Sequence, residues 1–452
     1  MTASTDVDVV VIGQGPGGEH AAARLAEGGL DVVAVESRLV GGECPYYGCV
    51  PSKMMLAAAA LLDDARRVTG RAGAAEVHPD WAPVAARIRD EATDDWDDTV
   101  AVRRLEDAGV TFARGKGRLV GERQVEVEGT TYVARRGVVL NPGTDPAVPP
   151  IEGLADTPYW TNRDVVQLKE LPGSLLVVGG GAIGVELAQA LHAFGVEVTI
   201  LEMAPRLLPP EEPEAGAALE QALSAAGIRI HTGVSIGSVR YADGGFSVDV
   251  GDQTISADKL LVAAGRKPLL DDLGLETVGL DPTARGLDTD ERMRVADGLW
   301  AIGDVTGKGA FTHMSMYQAA IAVRDILGQD GPPADYRAVP RVTFTHPEVA
   351  SVGLSEAQAK EHGIEVRTGL DEGLGTRGWL VQQDGLIKVV ADRDRGLLVG
   401  ATVVGPSAGE VLSMLATAVH AEVPVATLQS MPYAYPTLHR AIEAALGRLD
   451  LS

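Results

Sequence analysis

Cys44 and Cys49, with four residues between them, are the only sulfhydryl side chains in the 452-residue sequence. Two close cysteines with none elsewhere do not make a secreted disulfide framework. In a reducing compartment such a pair does redox or metal chemistry. The spacing does not match a zinc knuckle, and no second cysteine pair exists to complete a structural zinc site, so no metal is expected. The surrounding segment, Gly41-Gly-Glu-Cys44-Pro-Tyr-Tyr-Gly-Cys49-Val-Pro51-Ser-Lys53, is expected to open a helix. One turn would bring both sulfurs onto one face, and the helix N-terminus with Lys53 nearby would lower a thiolate pKa. That chemistry favours a disulfide that is reduced and reformed.

A redox pair needs an electron source, and two glycine-rich segments supply candidates. Asp8-Val-Val-Val-Ile-Gly13-Gln-Gly15-Pro-Gly-Gly18 is followed by Ala- and Leu-rich sequence and then Val32-Val-Ala-Val-Glu36. This reads strand, glycine turn, helix, strand, acid. The first glycine makes the turn, the second lets backbone approach a pyrophosphate at a helix N-terminus, and the third permits close helix–strand packing. Glu36, 23 residues after Gly13, is placed to accept from ribose hydroxyls. The same pattern recurs at Leu175-Leu-Val-Val-Gly179-Gly-Gly181-Ala-Ile-Gly184, again with an acid, Glu202, 23 residues after the first glycine. A single motif is also compatible with packing alone; two copies with matched acids point to two dinucleotide sites.

The elements that must position these residues are those of an α/β protein. A chain of this length exceeds what one hydrophobic core usually supports, so two or three domains are expected. Gly298-Leu-Trp-Ala-Ile-Gly303-Asp304 reads as a strand ending in an aspartate that could accept from a ligand hydroxyl, or as a simple turn. After Gly331-Pro-Pro, strands over 342–344, 386–390 and 397–404 and helices over 355–361 and 408–421 suggest an α+β domain with an antiparallel sheet. Hydrophobic content of 45% and charged content of 23% are those of a globular protein, and 54 glycines suggest many tight turns. The formal charge of −24 argues against nucleic-acid or anionic-membrane binding, which need a basic face. The first residues carry two aspartates and no basic signal-peptide region, and the reading is a cytoplasmic protein.

At these residues the sequence resembles the class I pyridine nucleotide-disulfide oxidoreductases, among them dihydrolipoamide dehydrogenase, glutathione reductase and mercuric reductase. The resemblance runs nearly end to end. It rests on the Cys44-x4-Cys49-Val-Pro-Ser-Lys53 block, both glycine motifs, Ala264-Gly265-Arg266-Lys-Pro268, Ala301-Ile-Gly303-Asp304 and Phe344-Thr-His-Pro347-Glu-Val-Ala-Ser-Val-Gly353.

The resemblance implies two Rossmann-like nucleotide-binding domains and a C-terminal α+β dimerisation domain. The FAD domain would span 1–152 and 267–338, the NAD(P) domain 153–266 and the interface domain 339–452. It implies FAD bound through Gly13, Gly15, Gly18, Glu36, Gly42, Lys53, Gly117, Gly143, Asp304 and His313. NADH, with NADPH as the alternative, would be held through Gly179, Gly181, Gly184, Glu202 and Gly265. Cys49 would contact the flavin and Cys44 would meet the acceptor. Glu186 would pair with Lys53 beside flavin N5, a helix salt bridge being the structural alternative. A homodimer is implied as well. Glu202 favours NADH, since a carboxylate repels a 2′-phosphate; Arg206 could bind that phosphate or merely cover a loop.

Three stretches depart from the family pattern. The near-C-terminal His-Pro-Thr-x-x-Glu is here Tyr435-Pro436-Thr437-Leu-His439-Arg440. Tyrosine, with a reference pKa near 10, donates a hydrogen bond at pH 7 but is a poor base there. This favours a reductase over a dithiol oxidase, with His439 as a substitute base or a surface residue. Mercuric reductases share the tyrosine but add a C-terminal cysteine pair not found in this sequence. Tyr46 and Tyr47 are bulkier than their counterparts and would form a core wall or an acceptor pocket for a planar quinone. Asn141-Pro-Gly143-Thr replaces Ala-Thr-Gly-Ser. The expected acceptor is a small disulfide, a quinone or a metal ion. Direct transfer to a quinone or metal ion as a diaphorase, and a redox-sensing flavoprotein, are the competing functions.

Overall fold

The computed structural model describes residues 3–381 and 384–451. The chain divides into two compact units, one comprising Met1–Pro51, Ala85–Ala147 and Arg266–Asp335, the other Ser52–Val84, Val148–Gly265 and Tyr336–Ser452.

In the first unit the run of β-branched residues in Ala3–Ile12 forms a central strand, as such side chains favour. It pairs in parallel with Val32–Glu36 on one side and Thr130–Leu140 on the other. The sheet continues to Thr111–Arg114 at one edge and through Leu299–Ala301 to Arg294–Ala296 at the other. Alternation with period two sends Val9 and Val11 into a cluster with Leu25, Leu105 and Ile321, and Val10 and Ile12 into another with Leu119, Leu140 and Leu273. Both faces are therefore covered, as a parallel sheet requires. Helix Pro16–Glu27 follows the first strand and packs on Thr312–Leu327. Gly17 allows this approach, since a Cβ there would lie 2.1 Å from Ser315 Oγ.

The second unit repeats the strand–loop–helix–strand pattern: Ser174–Val178, Ala182–Ala193 and Glu197–Leu201, in a parallel sheet ordered Arg229–His231, Glu197–Leu201, Ser174–Val178, Lys259–Val262. A three-stranded antiparallel meander, Ile236–Ala242, Gly245–Val250 and Gln253–Ala257, carries Phe246 and Val248 into the core of this sheet. The same unit holds a five-stranded antiparallel sheet ordered Pro340–Thr343, Glu348–Gly353, Leu397–Gly405, Leu386–Asp392, Val366–Glu372. Helices Ala408–His420 and His439–Gly447 cover it through Leu412, Leu415, Ile442 and Leu446. The antiparallel sheet and helices expected after residue 331 are thus present, with two further strands, Glu348–Gly353 and Val366–Glu372, and with the first strand lying at Pro340–Thr343 rather than over 342–344.

One expectation is corrected. The cysteines do not share a continuous helix: Cys44 lies in the short helix Glu43–Tyr46 and Cys49 opens the helix Cys49–Arg67. Tyr47 and Gly48 break the run, both donating their N–H to Glu43 O. Pro51 gives the reason. It has no N–H and would break a helix continuing from residue 43, but it is tolerated in the first turn of a new one. Among the described residues no helix is long and apolar enough to cross a membrane, and no group of His, Cys, Asp and Glu is arranged to hold a metal ion.

Candidate functional site

The two glycine loops each hold glycines of two kinds. Gly13 has φ +88°, and a Cβ on it would lie 2.1 Å from Asn141 O; a Cβ on Gly18 would lie 1.9 Å from Gly13 O. In the second loop Gly179 has φ +115° and 2.3 Å to Ala263 O, and Gly184 has 2.0 Å to Gly179 O. These four glycines are required by the protein's own backbone and packing.

The middle glycines are different. Gly15 (φ −67°) and Gly181 (φ −76°) cap their helices in extended backbone that any residue adopts, with no side-chain cap. An added Cβ would meet only Asn141 Nδ2 at 3.4 Å at Gly15, and nothing within 4 Å at Gly181. Among the described residues no side chain or distant backbone demands glycine at these positions, whereas a pyrophosphate laid against the helix N-terminus would. The residues present therefore fit a dinucleotide at both loops.

The acids repeat the same geometry. Glu36 accepts from Gln14 N at 2.7 Å and Arg38 N at 2.8 Å; Glu202 accepts from Gly180 N at 2.5 Å and Ala204 N at 2.6 Å. Each carboxylate is fixed at its strand end by the glycine loop. The Arg206 guanidinium donates to the carbonyls of Pro209 and Glu211 at 2.6 and 3.1 Å, so it braces its own loop.

The remaining nucleotide candidates of the first unit are spread over several turns. Gly42 has φ +64° and stands against Gly15, a Cβ there lying 2.9 Å from Gly15 Cα. Gly117 is wedged against Val35 and Ile12. Gly143, at φ +73°, is a backbone requirement with no side chain pressing on it, as is Gly265 of the second unit at φ +116°. Asp304 sits in the turn Gly303–Thr306 and accepts from Thr144 Oγ1 at 2.8 Å, while Arg266 donates to the same hydroxyl. His313 is exposed and its ring stacks on Phe311.

Cys44 is half-buried and Cys49 exposed. Cys49 Sγ lies 3.5 Å from Thr312 Oγ1, the first residue of helix Thr312–Leu327. A hydroxyl and a helix N-terminus beside a sulfur both favour its thiolate. Nothing in the sequence marks a contact across 263 positions, and Thr312 was not among the expected residues. Tyr46 is buried, and burial with the nearby Asp98 and Glu19 charges pushes its hydroxyl up to about 12, so it is a neutral core wall. Tyr47 is half-exposed.

Within the second unit, Lys53 Nζ lies 2.7 Å from Glu186 Oε2. Glu186, buried on helix Ala182–Ala193, accepts at its other oxygen from Phe344 N at 2.8 Å. The Phe344 ring lies under Lys53 Nζ at 4.8 Å, a cation–π arrangement. The expected pair is formed, and Phe344 completes it. Tyr435 is 69% exposed, His439 opens helix His439–Gly447, and Arg440 forms an ion pair with Glu443.

Residues 7–323 match the family model described as pyridine nucleotide-disulphide oxidoreductase, and residues 339–446 match that family's dimerisation domain. The dihydrolipoyl dehydrogenase of Chlorobaculum tepidum is 34% identical over 463 residues, covering 99% of this chain and 98% of that protein. The mercuric reductase of Staphylococcus aureus is 32% identical, covering 98% of this chain and 83% of its own length. Among solved structures, LpdA of Mycobacterium tuberculosis superposes with a TM-score of 0.85 at 28% identity, covering 98% of this chain and 99% of that one. The Cu(II) complex of the HOCl-induced flavoprotein disulfide reductase RclA of Escherichia coli superposes with a TM-score of 0.84 at 26% identity, with 98% and 99% covered.

Proposed function

The chain belongs to the pyridine nucleotide-disulphide oxidoreductase family, an FAD-dependent and nicotinamide-dependent class of enzymes, and from that premise we propose that it is an NADH-dependent reductase acting through Cys44 and Cys49. The observation that carries the proposal is Cys49, exposed and held 3.5 Å from Thr312 Oγ1, with its only possible disulfide partner in the chain five positions away.

Bound FAD supplies the two-electron link between nicotinamide and disulfide. Gly13, Gly15, Gly18, Glu36, Gly42, Gly117, Gly143, Asp304 and His313 are assigned to holding it, and Gly179, Gly181, Gly184, Glu202 and Gly265 to holding the nicotinamide nucleotide. Lys53, oriented by Glu186, supplies a fixed positive charge. In balance, NADH gives up a hydride to become NAD+, and its two electrons and one proton convert the Cys44–Cys49 S–S bond to the Cys49 thiolate and the Cys44 thiol. Cys44, giving up its proton, then attacks one sulfur of the acceptor disulfide and expels the other as a thiol; the Cys49 thiolate attacks Cys44 Sγ, closing the disulfide and releasing the second acceptor sulfur as a thiolate that takes a proton from solvent. Thr312 stabilises the Cys49 thiolate between these steps.

The acceptor we assign is a small disulfide, reduced rather than formed. Tyr435 stands where a histidine would serve as base for dithiol oxidation, and a phenol hydroxyl is a poor proton acceptor beside an imidazole. The homodimer is the assembly proposed, since residues 339–446 match a dimerisation domain.

A second reading, direct transfer to a quinone or metal ion, is favoured by the mercuric reductase relative and by the same Tyr435. Cys44→Ser separates the two. Loss of disulfide reduction across an acceptor panel, with NADH–quinone turnover at a small fraction of the wild-type disulfide rate, supports the dithiol route. Full NADH–quinone activity in the variant, together with no disulfide reduction by the wild type, would leave only direct transfer.

A further inference from the structure

A strained segment braces the redox loop from outside it. The helix Ala82–Arg87 widens into a π-helix at Ile88–Ala92, in which Thr93 N bonds to Ile88 O and the Thr93 hydroxyl to Ile88 O and Arg89 O. Asp94, Asp95 and Trp96 follow with φ of +49°, +54° and +59°. Three consecutive non-glycine residues in the left-handed region are avoided by L-amino acids, and such backbone persists only where its surroundings over-determine it. π-Bulges likewise cluster at functional sites.

The strain delivers two side chains to one place. Trp96 Nε1 donates to Tyr46 O at 3.1 Å, the carbonyl that ends the short helix carrying Cys44. Asp98 Oδ2 accepts from Val40 N at 2.7 Å, four residues before Cys44, and is itself paired with Arg114. The stretch between Val40 and Tyr46, with Cys44 inside it, is thus pinned at both ends by residues 96 and 98. Tyr46 O is a helix-end carbonyl without a full set of intrahelical partners, so this external donor fixes where the turn ends.

We propose that Trp96 is a positioning residue for the Cys44–Cys49 pair: its indole N–H holds the Glu43–Tyr46 turn so that Cys44 stays presented to Cys49 in the dithiol. The proposal rests on the pair being redox-active. Its physical content is an effective concentration. A turn held in place loses little freedom when the S–S bond closes, whereas a loosened turn gives the dithiol conformers that the disulfide forbids. Removing the indole N–H should therefore shift the pair toward dithiol.

The test is Trp96→Phe, which keeps an aromatic ring and removes the donor. The FAD-loaded enzyme is equilibrated in a series of dithiothreitol redox buffers and its thiols are counted. The expected result is a shift of about five- to tenfold toward dithiol, the equivalent of one hydrogen bond, with iodoacetamide alkylating Cys44 of the reduced enzyme faster by a similar factor and FAD content retained. A shift within twofold, a shift toward disulfide, or loss of FAD in parallel with any shift would overturn the proposal. Should Trp96→Phe fold poorly, benzothienylalanine at position 96, which keeps the indole shape without the N–H, gives the same readings. Because the buffer sets the equilibrium, this test stands apart from whether NADH reduces the pair, which Cys44→Ser and the acceptor panel address.

Discussion

Glu186 joins two distant parts of the second unit through one carboxylate: Oε2 accepts from Lys53 Nζ at 2.7 Å and Oε1 from Phe344 N at 2.8 Å. A buried carboxylate needs such partners, and with both oxygens engaged it cannot swing away from Lys53. The lysine charge is therefore fixed in direction as well as present. Glu186→Gln keeps the shape and removes the charge. It should slow anaerobic bleaching of the flavin by NADH by about 10- to 100-fold, the loss of one charge-assisted hydrogen bond, with FAD retained. Stopped-flow absorbance measures this, and a rate within twofold of wild type would show that the pair is only a helix brace.

The glycine loops yield a paired prediction. Gly184→Ala would force a Cβ to within 2.0 Å of Gly179 O, so it should lower Tm by several degrees. Gly181→Ala meets no side chain or distant backbone atom of the described residues within 4 Å and should melt as wild type does, yet raise KM for NADH about tenfold or more. Thermal melts and steady-state kinetics on both variants decide it; unchanged KM in Gly181→Ala would remove the nucleotide from that loop.

Cofactor choice follows from Glu202 and Arg206. The carboxylate is fixed by two backbone N–H groups, and the arginine is occupied by two carbonyls of its own loop. NADH should therefore be preferred over NADPH in kcat/KM by about tenfold or more, because a 2′-phosphate would meet the carboxylate. A tenfold preference for NADPH would mean that Arg206 leaves those carbonyls when the nucleotide binds.

Thr312→Val removes the hydroxyl 3.5 Å from Cys49 Sγ without changing side-chain volume much. The Cys49 thiolate loses a donor, its pKa rises, and alkylation of the reduced enzyme at pH 7 should slow by about three- to tenfold, while Thr312→Ser restores the rate. Equal alkylation profiles against pH in all three proteins would assign Thr312 to helix packing alone.

Lys388 is buried among Glu212, Glu214 and Glu356, at 2.9, 2.8 and 2.9 Å. Burial alone would depress its pKa, but the three carboxylates hold it well above the ordinary lysine value. Its contribution is thus present below the unfolded pKa near 10.4 and lost as pH rises through the folded one. Hydrogen bonds from Lys360 and Lys388 lower Glu356, whose contribution is present above the unfolded value near 4.3 and lost as pH falls through the depressed one. Lys388→Met leaves the buried Glu212 carboxylate without its cation and should cost about 3–5 kcal/mol at pH 7, with the deficit shrinking as pH falls and Glu212 protonates. Denaturant melts at pH 7 and pH 3.5 would show it, and a deficit independent of pH would contradict it.

Much of this was legible in local sequence. The glycine loops, their acids and the parallel strands around them depend on residues within 23 positions of one another, and spacing alone exposes them. The Lys53–Glu186 pair, 133 positions apart, was legible only through resemblance. Thr312, Phe344 and Trp96 were not anticipated, because each acts through a contact with a partner 50 or more positions away that no periodicity encodes. The helix break at Tyr47–Gly48 was readable in principle: Pro51 cannot sit in the interior of a helix begun at Glu43. Tyr46 and Tyr47 looked alike in sequence, and only burial separated a core wall from a half-exposed ring.

The central claim, that reducing equivalents from NADH come to rest on Cys44 and Cys49, is tested most directly by anaerobic titration of the FAD-loaded protein with NADH, followed at wavelengths beyond the flavin bands. One equivalent should produce a thiolate–flavin charge-transfer band and two newly titratable thiols, and Cys49→Ser should abolish the band. Bleaching of the flavin by that first equivalent, with no long-wavelength band and no thiols gained, would contradict the account.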